Sequence, residues 1–387
     1  MPPRRLKVLY ENSLAPNPAG TGTFTRGLLG ALAQAEGVEV VVSRFRSDSV
    51  AFLDVSRKSP AQRLRSAVEH LRYFALELPA RAQRAGCDVI FSPTGLGPLR
   101  GRIPSVITVH DLTLLRYPAT VPWASRAYLR TMLRRQVRRS AAVCTVSQAV
   151  AQELVAVFPH LAAGRVHVVR DAPDPELLTA SATPPPYPPP EGEGNWGRQP
   201  EGEGNWGRQP FFLMVGTIEP RKNHLTGVRA FAAYLQRHPQ AADMLVIAGS
   251  PGWLYQPLLD EIAALRLEPR VRRLGHIDPG QLSWLYQNAR ALLFPSLYEG
   301  FGIPVVEAFA LGCPVIAASI AAVVEVAGEG TATLLPPLEV DRWAEAIGRA
   351  ATSPPDAGMI AAAKRRAAAF TWAASAQALV EALASTR

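Results

Sequence analysis

The segment Phe294-Pro-Ser-Leu-Tyr-Glu-Gly-Phe-Gly-Ile-Pro-Val-Val-Glu307 joins a strand, a loop and a helix in fourteen residues. An apolar run at 291–294 reads as a short buried strand. Glu299-Gly-Phe-Gly302 reads as a loop, and Pro304 as the opening of a helix that continues to about Leu311. Proline suits the first helical position because its missing N–H has no intrahelical partner there. Gly300 and Gly302 let backbone N–H groups approach a ligand, and the helix N-terminus behind them favours negative charge. Glu299 and Glu307 bracket this anion site. Carboxylates repel a bare phosphate but accept hydrogen bonds from hydroxyls. A phosphorylated sugar or a nucleoside diphosphate sugar meets both demands.

The same grammar recurs along the chain. Strand-like runs fall at 6–10, 38–42, 89–91, 106–109, 142–145 and 166–169, and again at 211–215, 244–247, 271–274, 291–294, 315–317 and 333–335. Helical patterns lie between them, at 60–85, 123–139, 225–237 and 281–288 among others. Apolar strands that do not alternate, separated by helices, indicate parallel sheets covered on both faces. Two such series predict an α/β chain of two doubly wound, Rossmann-like domains. A length of 387 residues agrees, being too long for one core.

Between the two series, residues 179–210 begin with a proline run and then repeat Glu-Gly-Glu-Gly-Asn-Trp-Gly-Arg-Gln-Pro at 191–200 and 201–210. A tandem decapeptide so rich in glycine, proline and charge buries no core, and two copies make no solenoid. It reads as an expanded connection. The predicted boundaries are a first domain at 1–178, this linker at 179–210, a second domain at 211–365 and a C-terminal helix at 366–387. Phe370 and Trp372 mark a kink in the alanine-rich tail.

Charge divides unevenly: residues 1–183 carry a net +11 and residues 184–387 a net −2. The first half therefore suits an anionic partner. Arg126, Arg130, Arg134 and Arg138 form one ridge of the helix at 123–139, with Leu129, Leu133 and Val137 on another face. This is a solvated basic ridge or a contact for an anionic membrane surface. Cys87, Cys144 and Cys313 are far apart and read as free buried thiols, which fits a cytoplasmic setting. The opening Met1-Pro-Pro-Arg-Arg-Leu-Lys-Val-Leu-Tyr10 has only a strand-length apolar run and does not read as a signal peptide. The uncharged stretch between Glu307 and Glu325 is broken by Gly312 and Pro314, so it does not read as a membrane span.

Ligands of open α/β sheets bind beyond the carboxyl ends of the strands. Three further motifs sit there. Arg221-Lys222 follows the strand at 211–215 and offers a planar fork and a point charge for a diphosphate. His110-Asp111 follows the strand at 106–109; Asp111 reads as a turn former. Gly20-Thr-Gly-Thr-Phe24 precedes a helix at 25–34, but position 25 is Thr and the second strand ends in Ser43-Arg44 rather than in an acid. A dinucleotide fingerprint is therefore incomplete. No Asp-x-Asp pair and no His/Cys cluster has metal-ligand spacing.

Taken together, Glu299 with Glu307, Val215-Gly-Thr-Ile-Glu-Pro-Arg-Lys-Asn223, Val109-His-Asp111 and Thr145-Val-Ser-Gln148 resemble, in order and spacing, the blocks of the GT-B glycosyltransferases of family 4. The resemblance covers most of the chain outside roughly 44–85 and 179–210. It is nearest to the branch that includes bacterial mannosyltransferases of surface polysaccharide synthesis. It implies two domains facing a central cleft, with the last helix crossing back to the first domain. It implies a retaining, metal-independent hexosyl transfer from a nucleotide sugar to a saccharide or lipid-linked acceptor, GDP-mannose being the first donor to consider. The nucleotide sugar is then a substrate, no cofactor is needed and no nucleic acid is involved. Localisation would be cytoplasmic, with peripheral contact at the inner membrane face through the first domain.

Residue by residue, the resemblance makes His110, Glu299 and Lys222 catalytic. Gly20, Gly22, Arg221, Lys222, Glu299, Gly300, Phe301, Gly302 and Glu307 become donor-binding, with no metal ligand. Gly20 to Gly22 would form a loop closing over the donor. Two positions depart from the pattern. Thr217 stands where some relatives carry an arginine, and Arg170-Asp-Ala-Pro173 stands where relatives often show Asn-Gly. Two other readings share the scaffold: a sugar-nucleotide epimerase and a non-catalytic nucleotide-binding protein.

Overall fold

The computed structural model describes residues 5–13, 20–43, 65, 68–118, 123–161, 163–184, 209–353 and 355–387, with 123–129 and 163 in backbone course only. The tandem decapeptide, apart from Gln209 and Pro210, lies outside them, as do the side chain of Arg126 and most of the expected helix before residue 68.

The chain forms two compact units. The first comprises Met1–Ala172 and Thr371–Arg387, the second Pro173–Phe370. The first is built on strands β1 (Leu6–Glu11), β2 (Val38–Ser43), β3 (Val89–Ser92), β4 (Ser105–Val109), β5 (Ala142–Thr145) and β6 (Val166–Val168). All are parallel, in the order β2-β1-β3-β4-β5-β6. Central β3, β4 and β5 are buried throughout, which is why they read as unbroken apolar runs; the edge strand β2 is partly exposed. One helical layer, with a π-helical turn at Tyr73–Glu77, packs Tyr73, Phe74 and Leu78 on Leu9 and Ile90. Val137, Leu154 and Phe158 cover Ile107, Val109 and Val143.

The second unit holds β7 (Phe211–Val215), β8 (Met244–Ala248), β9 (Val271–Gly275), β10 (Leu292–Phe294), β11 (Val315–Ala318) and β12 (Thr333–Leu335). These parallel strands lie in the order β12-β11-β10-β7-β8-β9. The chain thus builds outward from β7 to one edge, then returns to β10 and builds toward the other. Between β7 and β10 the loops diverge to opposite faces, and this switch point is where such sheets bind ligands. The core beneath holds Phe212, Met214, Phe231, Tyr234, Leu245, Ile247, Trp343 and Ile347. Its polar edges are paired: Trp343 Nε1 donates to the Pro336 carbonyl (2.9 Å) and the Tyr234 hydroxyl to Asp243 (2.7 Å).

The twelve strands lie where the sequence places them, to within a residue or two at their ends. The exchange between units falls elsewhere than the linker. The helix Pro175–Thr179 packs on Pro279–Asn288, and the Thr183 N–H donates to the Gly280 carbonyl (3.2 Å), so residues from Pro173 onward belong to the second unit. Phe370 also stays there, its ring edge-on to Phe301 at 5.4 Å. Unit one resumes at Thr371, whose side chain caps the helix Trp372–Ala384. That helix packs on Gly20–Leu32. A β-carbon on Gly27 would stand 2.2 Å from the Trp372 ring, so glycine there makes room for the indole. Among the described residues, no helix is long and apolar enough to cross a membrane. All three cysteines are free and buried.

Candidate functional site

In the second unit, two loops at the switch point are tied together before any ligand is considered. After β7 the chain turns through Gly216 and a single 3-10 turn, Pro220–Lys222, into the helix His224–Arg237. Asn223 sits at the junction in the left-handed conformation (φ 54°). Its Nδ2 donates to the carbonyls of Pro295 (3.0 Å) and Pro337 (2.9 Å), while its Oδ1 accepts from Thr226. The Leu297 N–H donates to the Arg221 carbonyl (2.8 Å). On the other side, Gly249 (φ 153°) brings its backbone so near Gly216 that a β-carbon would lie 2.1 Å from the Gly216 oxygen.

This framework sets a charged cluster. Lys222 Nζ donates to Glu299 Oε1 (2.7 Å), and Arg221 Nη1 donates to Glu299 Oε2 (2.8 Å) and to the Tyr298 carbonyl (2.9 Å). Arg221 Nη2 donates to Glu219 Oε1 (2.6 Å). Lys222 also lies over the Phe294 ring at 5.4 Å. Burial works to raise the Glu299 pKa, but the charges of Lys222 and Arg221 on either side outweigh it and hold the carboxyl at about 2. Glu299 is thus an ionised acceptor at any physiological pH.

The helix Ile303–Leu311 starts one residue before Pro304, which occupies its second position. Its N-cap is Gly302 (φ 112°), a conformation closed to other residues without strain. Glu307 lies on the buried face, where its Oε2 accepts from the Tyr286 hydroxyl (3.0 Å). Burial pushes its carboxyl up to about 7, with the nearby Asp174 charge adding to the rise and the Tyr286 bond opposing it. The two glutamates bracketing one loop are therefore opposites: one held ionised by cations, the other half-protonated near neutrality.

Phe301, expected among the donor-binding residues, turns its side chain into the packing behind the loop. The ring is buried and edge-on to Phe370, so it pins the loop from behind. His224, at the first position of its helix, is buried with Nδ1 unpartnered; burial, and next the Lys222 charge, bring its pKa down to about 3. Glu219 and Tyr286 carry polar roles that the sequence reading does not assign. Glu219 stands two residues before Arg221, which is a visible signal; Tyr286 comes from another helix and leaves none.

In the first unit, His110 follows β4. Its Nε2 lies 2.8 Å from the Pro93 carbonyl, which can only accept, so Nε2 carries the proton and Nδ1 is the free lone pair. The ring stands edge-on to Phe24 at 4.8 Å, and burial lowers its pKa. Asp111 accepts from the Thr113 N–H (2.9 Å) and shapes the turn. Gly20, Thr21 and Gly22 are not a loop: they form the first turn of the helix Gly20–Leu32. The burial of Phe24 and Leu28 outweighs glycine's poor helix propensity there. Ser147, from the block at 145–148, caps the helix Gln148–Val157 by accepting from the Val150 N–H (3.1 Å). Among the described residues, no group of three or more His, Cys, Asp or Glu side chains is placed to hold a metal ion.

Known proteins share both units. The model for "Glycosyltransferase Family 4" matches residues 18–177, and that for "Glycosyl transferases group 1" matches residues 198–367. O-antigen chain mannosyltransferase B of Escherichia coli is 27% identical over 256 residues, a match covering 62% of this chain and 63% of that relative. O-antigen chain mannosyltransferase RfbU of Salmonella typhimurium is 25% identical, over 76% of this chain and 73% of that one. The solved structure of sucrose-phosphate synthase from Thermosynechococcus elongatus superposes with a TM-score of 0.71 at 19% identity, covering 97% of this chain and 98% of that one. With two doubly wound sheets of the GT-B type and both family models matched in order, the chain belongs to the family 4, or group 1, glycosyltransferases.

Proposed function

We propose that the protein transfers a hexose from a nucleotide sugar to a saccharide or lipid-linked acceptor, with retention of configuration and with Lys222 in the place of a metal ion. The observation that carries this reading is the Lys222–Glu299 pair at the switch point of the second sheet, beside the glycine-capped helix that bears Glu307. Among the described residues, one of the three ammonium hydrogens of Lys222 is engaged by a protein acceptor, so two remain for diphosphate oxygens. As the bond from the sugar's anomeric carbon to the diphosphate breaks, negative charge grows on the leaving oxygen. The ammonium and the N–H groups at the helix N-terminus are already in place to take it. The spare lone pairs of Glu299 accept from sugar hydroxyls, and Glu307 meets the ribose. His110 presents a neutral Nδ1 acceptor in the first unit. Mannose from GDP-mannose is the donor we favour, because two matched relatives are named mannosyltransferases. The basic first unit supplies the acceptor side and a surface for anionic lipid, through the exposed Arg130, Arg134 and Arg138.

The test is thermal unfolding with GDP, UDP, ADP, TDP and NAD in parallel, followed by assay of the matching nucleotide sugar. A ligand at about 100 times its Kd stabilises by roughly 2.7 kcal/mol. Stabilisation by one nucleoside diphosphate, lost in Lys222→Ala together with about 100- to 1,000-fold of the transfer rate, is the expected result. Near-full transfer by the folded Lys222→Ala protein would refute the assignment.

A further inference from the structure

Arg221 and Lys222 are adjacent in the sequence and look interchangeable as cations for a diphosphate. In the structure they are not equivalent. Among the described residues Lys222 makes one hydrogen bond to protein, whereas Arg221 gives both hydrogens of Nη1 and one of Nη2 to three protein acceptors, the Tyr298 carbonyl, Glu299 and Glu219. Its own carbonyl accepts from the Leu297 N–H, so both ends of the residue clasp the loop after β10. The acids Glu219 and Glu299 are buried, and the four charges of the cluster cancel. A planar guanidinium between two carboxylates at 2.6 and 2.8 Å is a rigid brace, a geometry that an ammonium cannot reproduce.

We propose that Arg221, backed by Glu219, is a positioning residue that holds the Glu299 carboxylate and the Tyr298–Glu299 backbone in register, and that Lys222 alone of the pair meets the donor diphosphate. This rests on the nucleotide-sugar reading above and deepens it. The charged groups that face Glu299 are Arg221 and Lys222, with the Ser296 hydroxyl beside them, neutral His224 nearby and Glu219 behind Arg221. Removing Arg221 therefore leaves Glu299 with one cation instead of two, held by Lys222 at Oε1 and no longer braced at Oε2.

The experiment compares Arg221→Gln and Arg221→Lys with the wild type in GDP and UDP binding by calorimetry, in donor turnover, and in acid-induced unfolding. The expected result is a nucleotide Kd within about threefold of wild type, with turnover reduced about 100-fold in both variants. Arg221→Lys keeps the charge but lacks the fork, so it does not rescue. Weakening of GDP or UDP binding by tenfold or more with turnover at saturation intact would make Arg221 a diphosphate ligand. Restoration of turnover by Arg221→Lys would likewise overturn the brace. If neither nucleotide binds the wild type, the donor reading fails, and the brace is then judged on the ligand-free protein. Arg221→Gln should raise the pH midpoint of acid unfolding, and adding Glu299→Gln should abolish that rise. An acid limb unmoved by Arg221→Gln would refute the brace by itself.

Discussion

Glu307 gives the sharpest quantitative prediction, because no cation offsets its burial as Lys222 and Arg221 offset that of Glu299. Its folded pKa of about 7 lies above the ordinary 4.5. For an acid raised in this way, the favourable contribution is full below the unfolded pKa and is lost as pH rises through the folded one. The gap between 4.5 and about 7 corresponds to roughly 3 kcal/mol. Glu307→Gln preserves the shape and the acceptor for the Tyr286 hydroxyl, but carries no charge at any pH. The stability of the wild type relative to this variant should therefore fall by about 3 kcal/mol between pH 4 and pH 8, with the steep part from 5 to 7. Urea unfolding of both proteins at half-unit pH steps, followed by circular dichroism, measures the difference directly. Groups common to both proteins cancel in it. Parallel curves would show that Glu307 ionises without cost, and the burial argument would be wrong. Asp174→Asn should shrink the effect, since Asp174 adds to the rise.

Two further tests follow from local geometry. On the helix Gly20–Leu32, Gly27 faces the Trp372 indole, while a β-carbon on Gly30 would meet nothing within 4 Å. Gly30→Ala should stabilise by about 0.5–1 kcal/mol through helix propensity, whereas Gly27→Ala should destabilise by more than that, read as opposite shifts in urea midpoint. Asp171, buried with Oδ1 unpartnered, has its pKa pushed well above the ordinary value by burial. Its penalty appears as pH rises, so Asp171→Asn should raise the urea midpoint at pH 8 and leave it unchanged at pH 3.

Much of this architecture is legible from residue order alone. Buried parallel strands such as Val143-Cys-Thr and Leu245-Val-Ile carry no polar alternation, and the ends of β7 and β8 are followed by Gly216 and Gly249. Glu299 and Glu307 announce a site because glycine and proline between them dictate a loop and then a helix. Partnerships across the fold leave no such trace. The inward turn of Arg221 depends on Glu299, 78 residues away. Likewise the packing of Phe301 against Phe370, from the connection before the helix Trp372–Ala384, is invisible in the local motif. Gly20 and Gly22 suggest a loop by propensity, and only the packing of Phe24 and Leu28 makes them helical. The position of the unit boundary is set by small contacts, such as Thr183 on Gly280, that no composition shift marks.

The helix Trp372–Ala384 completes the first unit, yet nearly two hundred residues of the second unit precede it. At a synthesis rate of about 5–20 residues per second, the face of the helix Gly20–Leu32 that presents Phe24 and Gly27 to Trp372 waits on the order of 10–40 s for its cover. The second unit is a continuous stretch and can fold as it emerges; the first must stay open until the last helix leaves the ribosome. A nascent chain stalled before Trp372 would thus present an unpaired apolar stripe, a natural handle for chaperones and for quality control of truncated products.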